Sequence, residues 1–167
     1  MRKEINKYGN TRYYNEKSQL HREDGPAVVW AIGHKEWYQH DKRHREDGPA
    51  IECTDGYKAW YINGQKHRED GPAIEFADGE KQYWIDDELH RVDGPAIEQP
   101  SGYKAWYQHD QKHREDGPAI EDADGDKYWF KHGQLHREDG PAIERPNGYK
   151  EYWMNGKRIK EVSKKVR

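Results

Sequence analysis

The chain has 167 residues, 37% of them charged and 32% hydrophobic, yet its formal charge is only −3. Trp and Tyr number 7 and 12, against 20 for Leu, Ile, Val and Phe together, so aromatics that can each bury roughly 150–250 Å² carry the apolar surface. This excludes a large aliphatic core and a membrane span of about 20 apolar residues; with Cys53 alone, it also excludes a disulfide framework or a Cys-based zinc site.

Residues 1–20 come first, and Gly9 to Leu20 match the second half of a longer repeated pattern, with one extra residue. The opening MRKEINKYGN has no apolar h-region, so a soluble, cytoplasmic, unsecreted protein is expected. Residues 1–20 are therefore read as an N-terminal cap containing a half repeat.

Residues 21–156 hold six units that begin at His21, His44, His67, His90, His113 and His136, spaced by 23 each time. Five read HREDGPA and the fourth reads HRVDGPA, with Val92 replacing Glu. Each continues with Ile or Val, then a turn pair such as Asp55-Gly56, Asp78-Gly79 or Asn147-Gly148, then Lys and an aromatic pair. A second turn, such as Asn63-Gly64, closes the unit. Asp-Gly and Asn-Gly between short runs signal two-residue type I′ hairpins. Counting outward from Asp78-Gly79 sets Phe76 opposite Lys81, Ile74 opposite Tyr83 and Ala73 opposite Trp84. That register puts the isoleucines on a face with the first aromatic of each pair. The second aromatics share the other face with alanine.

About 13 strands are expected, forming an elongated single-layer antiparallel sheet of roughly 60 Å. The fold class is all-β, consecutive 23-residue hairpin repeats in a single domain, with a closed hairpin barrel as the alternative. Residues 157–167 carry six basic side chains and one acidic, and read as a basic tail or cap, either a short helix or an arm.

The run Asn63-Gly64-Gln65-Lys66-His67, with Gly71-Pro72-Ala73, Asp78-Gly79 and Tyr83-Trp84, resembles the MORN repeat, and the likeness covers residues 9–156. It implies a divergent variant, of bacterial or phage type. The Tyr-x-Gly-x-Trp core of that family is absent and the link carries an added Glu-Asp. The resemblance implies elongated sheets of hairpins that serve as scaffolds or contact modules.

The His-Arg-x-Asp clusters offer general-base or metal-ligand chemistry. Equivalent histidines two strands apart would lie about 9–10 Å from each other, too far to share a zinc that needs ligand atoms at about 2 Å. Catalysis also needs different residues in distinct roles, whereas one cluster is copied six times. The expected role is structural: ion pairs through Arg22, Asp24, Arg45, Asp47, Arg68, Asp70, Arg91, Asp93, Arg114, Asp116, Arg137 and Asp139, laddered between adjacent links. No metal, cofactor or catalytic residue is expected.

The second aromatics, Tyr38, Tyr61, Trp84, Tyr107, Phe130 and Trp153, form the candidate protein-binding strip. Residues 21–156 hold 18 basic and 29 acidic side chains, which argues against nonspecific nucleic-acid binding and favours a partner with a basic surface. The expected function is a non-enzymatic protein-binding module, an adaptor or an inhibitor of the kind a phage directs at a host defence complex. The alternative is a multivalent array for a small molecule, nucleotide or glycan. Unpaired edge strands would permit a homodimer.

Overall fold

The computed structural model describes residues 1–159, and among these it contains 25 short strands and no helix. Among the described residues no helix is long and apolar enough to cross a membrane. The chain divides into two compact units, Met1–Glu88 and a second that begins at Leu89.

One repeat shows how the sequence makes its strands. After the link His44–Pro49, the strand Ile51–Glu52 pairs antiparallel with Lys58–Ala59. The turn between them holds three residues, Thr54, Asp55 and Gly56. The Cys53 amide donates to the Tyr57 carbonyl at 2.9 Å and the Gly56 amide to the Cys53 carbonyl at 3.1 Å. Gly56 alone takes a positive φ, +100°, while the Asp55 carboxylate accepts the Tyr57 amide at 3.0 Å. This is a type I turn closed by a glycine bulge.

The chain then runs on as Tyr61–Ile62 and turns back at Asn63-Gly64 into Gln65–Lys66. Both turn residues have positive φ, 52° and 92°, which makes this second turn type I′. The two-residue geometry expected at the first turn is thus found at the second.

The extra residue in the first turn moves the register by one. Ile51 faces Ala59 rather than Trp60, and Ile74 faces Gln82 rather than Tyr83. A slip of one residue exchanges the faces of a strand. The isoleucines therefore share a face with the second aromatics, Tyr61 and Trp84. Trp60 lies on the opposite face with Glu52 and Lys58.

In the first unit the strands pair in chain order: Arg2–Ile5, Thr11–Tyr14, Val28–Val29, Lys35–Glu36, Ile51–Glu52, Lys58–Ala59, Ile74–Glu75 and Lys81–Gln82. In the second the order is Ile97–Glu98, Lys104–Ala105, Ile120–Glu121, Lys127–Tyr128, Ile143–Glu144, Lys150–Met154 and Lys157–Ile159. Neighbours in each ladder are antiparallel, and in neither unit does the last strand return to the first, so no barrel closes.

The core is thin. Ala27, Ala50, Ala73, Ala96, Ala119 and Ala142 of the links are fully buried, as are Ala59 and Ala105. Val28, Ile74, Ile120 and Ile143 are buried beside them. No large side chain among the described residues is completely enclosed, and the aromatics are half-buried except Tyr8 and Tyr149, which are exposed.

The N-terminus holds more than a half repeat. Arg2–Ile5 pairs with Thr11–Tyr14 across a loop built like the first turn, with Gly9 at φ +82°. The extra residue in 9–20 lies in the loop 15–19, where Glu16, Lys17 and Ser18 replace a two-residue turn and Ser18 takes φ +60°. At the other end, Lys157–Ile159 is a strand paired with Tyr152–Met154. The rest of the expected basic tail, 160–167, lies outside the described residues.

Candidate site: the arginine links and the aromatic face

Each link folds around its arginine. Arg45 Nε donates to Asp47 Oδ1 at 2.9 Å, and Nη1 donates to the Pro49 carbonyl at 3.2 Å and to Glu52 Oε1 at 2.8 Å. Its guanidinium carbon lies 4.0 Å from the centre of the Trp37 ring. Arg68 over Trp60, Arg114 over Trp106 and Arg137 over Trp129 repeat this at 4.1, 4.1 and 4.0 Å. Arg22 stacks on Tyr13 instead, at 4.1 Å.

Each of the six arginines pairs with the aspartate two residues on, within its own link: Arg22–Asp24, Arg45–Asp47, Arg68–Asp70, Arg91–Asp93, Arg114–Asp116 and Arg137–Asp139. The expected ladder between adjacent links is not formed by these pairs, because the planar fork is spent locally on Asp, the proline carbonyl and, in every unit but the first, Glu. Hydrogen bonds from Arg22, Arg45, Arg68, Arg114 and Arg137 hold the carboxyls of Asp24, Asp47, Asp70, Asp116 and Asp139 below the usual range. The glycine of the link has no positive φ. It is needed for space, since a Cβ on Gly48 would sit 2.9 Å from Arg45 Cζ.

The outer rim of the links is acidic. The side chains of Glu23, Glu46, Glu69, Glu115 and Glu138 are 76–86% exposed. Each reaches the fold through its histidine Nε2, at 3.4–3.9 Å. Between successive links lie open grooves. One of about 650 Å³ in the first unit is lined by Glu23, Asp24, Trp37, Glu46 and Asp47, and one of about 870 Å³ in the second by Glu115, Asp116, Trp129, Phe130 and Glu138, among others.

The second aromatics lie on the isoleucine face, each half-buried beside polar partners. Tyr38 donates to Glu36 Oε2 at 2.8 Å, and Arg43 stands 5.7 and 5.5 Å from the Tyr38 and Tyr61 rings. Trp84 donates to Gln82 at 3.0 Å under Lys66 Nζ at 3.8 Å. Lys112 lies 5.0 Å from Phe130, and Trp153 donates to Glu151 at 2.7 Å. Burial pushes the Tyr61 and Tyr107 hydroxyls up.

Sequence reasoning missed the cluster centred on Glu36, which accepts from Trp30 Nε1 at 2.8 Å, from Tyr38 and from Arg43. Burial works against its charge. The hydrogen bonds from Tyr38 and Trp30 and the charge of Arg43 outweigh burial, so its carboxyl lies below the usual range. Spacing of two residues along the strand, Trp30 apart, would have linked Glu36 to Tyr38. Among the described residues no group of three or more His, Cys, Asp or Glu is placed to hold a metal ion. The link carboxylates are ionised acceptors held by arginine, an arrangement that offers charge and hydrogen bonds to a surface.

No protein-family model matches the chain, and no curated protein matches it.

Proposed function

We propose that this chain is a non-enzymatic protein-binding module that engages a basic surface through the acidic rim of its links. The observation that carries this reading is the recurrence of the rim glutamates. Five of six units keep Glu there, at 76–86% side-chain exposure and with only long contacts to histidine. Val92, 78% exposed, occupies the same place in the fourth unit, so the fold accommodates another residue. On the isoleucine face the equivalent positions have diverged to Glu36, Ala59, Gln82, Ala105, Tyr128 and Glu151. Divergence reached that face throughout and the exposed glutamates in one unit alone, which fits selection for an outside contact.

The likeness to MORN repeats, mostly scaffolds and contact modules, supports the same reading. The half-buried aromatics Tyr38, Tyr61, Trp84, Tyr107, Phe130 and Trp153 would widen the contact on the other face. Adaptor and inhibitor differ in whether the partner's activity falls on binding; inhibition of a host defence complex in the cytoplasm is the form we favour.

The test is capture of a partner by the full chain and by a triple variant, Glu46→Lys, Glu69→Lys and Glu115→Lys. Binding should weaken with salt and vanish in the variant, while its circular dichroism stays that of the parent. Undiminished capture by the variant would refute the rim. The recurring grooves favour a second reading, an array for a small cationic ligand, for which calorimetry would show several equivalent sites.

A further inference from the structure

The link histidines fasten one hairpin to the next. A backbone N–H can only donate, so a ring nitrogen that receives one must carry no proton. The amides of His40, Asn63, His109, His132 and Asn155 donate to Nδ1 of His21, His44, His90, His113 and His136 at 3.1–3.3 Å. His67 differs: its Nδ1 meets Asp86 Oδ1 at 2.8 Å, a contact that protonation strengthens.

Three structural features meet at the His113 fastening. His113 is the only buried polar or charged residue among those described, at 6% exposure. Its ring lies 4.6 Å from that of His132. The turn it holds, Lys131 to Gln134, has Gly133 after His132, and the Gly133 amide donates to the Lys112 carbonyl at 2.9 Å. The turn at His109 instead carries Asp110, whose carboxylate accepts the Leu89 amide at 2.7 Å and provides an added anchor. The titratable and charged groups facing His113 are Glu115 on its own link, 3.9 Å from Nε2, and His132 and Lys131 on the docked turn. Lys112 and Arg114 flank it in the chain.

We propose that the His113–His132 contact is an acid-labile joint: a proton on His113 removes the acceptor for the His132 amide, and the Lys131–Gln134 turn undocks while the rest of its unit stays folded. Lys131 and Phe130 line the groove of about 870 Å³, so undocking reshapes that groove. Burial, then the nearby charge of His132, holds His113 below the ordinary histidine value. The joint is therefore fully closed above about pH 6.5, and its stabilisation is lost as the pH falls from there through the lowered value.

Amide exchange of the full chain, read by NMR between about pH 7.5 and about pH 5.5, tests this. The protection factor of the His132 amide should fall by up to about tenfold, the most that a histidine titrating at about 6.5 in the opened joint gives over this pH range. Protection at Asp87, in the turn beside His67 and Asp86, should hold. In His113→Asn, which keeps an acceptor that does not titrate, His132 should stay protected throughout. Constant protection at His132 in the parent, an equal fall in His113→Asn, or a parallel fall at Asp87 would each overturn the joint. The parent's imidazole nitrogen spectrum is a check that needs no variant: His113 must carry its neutral-pH proton on Nε2, and a proton on Nδ1 would overturn the proposal.

Discussion

The guanidinium of Arg45 lies over Trp37, the arginine entering from the link that follows the tryptophan's own unit, with 4.0 Å between Cζ and the ring centre. One contact therefore ties consecutive repeats together. It accounts for three invariant letters of the link: Asp47 orients the fork, Gly48 leaves room for it and the Pro49 carbonyl accepts from it. Arg45→Lys keeps the charge and loses the planar fork. We expect it to destabilise the chain nearly as much as Arg45→Ala, and a double-mutant cycle with Trp37→Ala to give a coupling of about 0.5–2 kcal/mol. Urea unfolding of the four proteins measures it. Zero coupling would mean that the stack is a consequence of the fold and adds nothing to it.

Gly48→Ala is expected to cost about 1–3 kcal/mol, because the new methyl meets Arg45 Cζ at 2.9 Å. The same change at Gly102 meets nothing within 4 Å but must adopt φ +96°. The two glycines thus fail for different reasons. Combining Gly48→Ala with Arg45→Ala separates them: removing the guanidinium should relieve most of the Gly48 penalty, whereas Arg45→Ala should leave the Gly102 penalty unchanged. An undiminished Gly48 penalty in the double variant would place the clash elsewhere.

The period of 23, the all-β class and the consecutive hairpins were legible because turn chemistry recurs at fixed offsets. The faces were not. Asp-Gly serves both a two-residue type I′ turn and a three-residue turn with a glycine bulge, which differ in whether Asp55 must share Gly56's positive φ. Local sequence does not separate them, and one residue of slip exchanged Trp60 with Tyr61. The second turn could be read more safely. His40 and Asp41, and Asp86 and Asp87, take positive φ with no glycine present, held by the docking of one hairpin on the next. The arginine's ring partner was hidden for a similar reason, since Trp37 and Arg45 belong to different copies of the pattern.

The link aspartates make the fold sensitive to acid. Arginine hydrogen bonds hold the carboxyls of Asp47, Asp70 and Asp116 below the usual range. A carboxyl depressed in the folded state stabilises fully above its unfolded pKa of about 3.9, and that contribution disappears as the pH falls through the folded value. These side chains are highly exposed, so each effect is small and screened by salt. The triple variant Asp47→Asn, Asp70→Asn and Asp116→Asn should be less stable at neutral pH and show a shallower loss below about pH 4. Urea midpoints across pH measure both slopes, and parallel slopes would remove the aspartates from the account.

Tyr38 reports on the buried cluster of Glu36, Trp30 and Arg43. Its hydroxyl is pushed up to about 12, first by burial and then by its hydrogen bond to Glu36. Glu36→Gln removes the charge yet leaves a carbonyl to accept from Tyr38 or Trp30. The burial contribution stays, so the Tyr38 value should fall part of the way toward the ordinary tyrosine value of about 10. Ultraviolet titration of the parent against Tyr38→Phe isolates this one hydroxyl among 12 tyrosines. The sign for stability follows from the raised value: holding Tyr38 protonated disfavours the folded chain increasingly above about pH 10, where the unfolded phenol ionises and the folded one does not. If Glu36→Gln leaves the Tyr38 titration unmoved, burial alone sets it. The carboxylate would then answer to Trp30 and Arg43 rather than to the tyrosine.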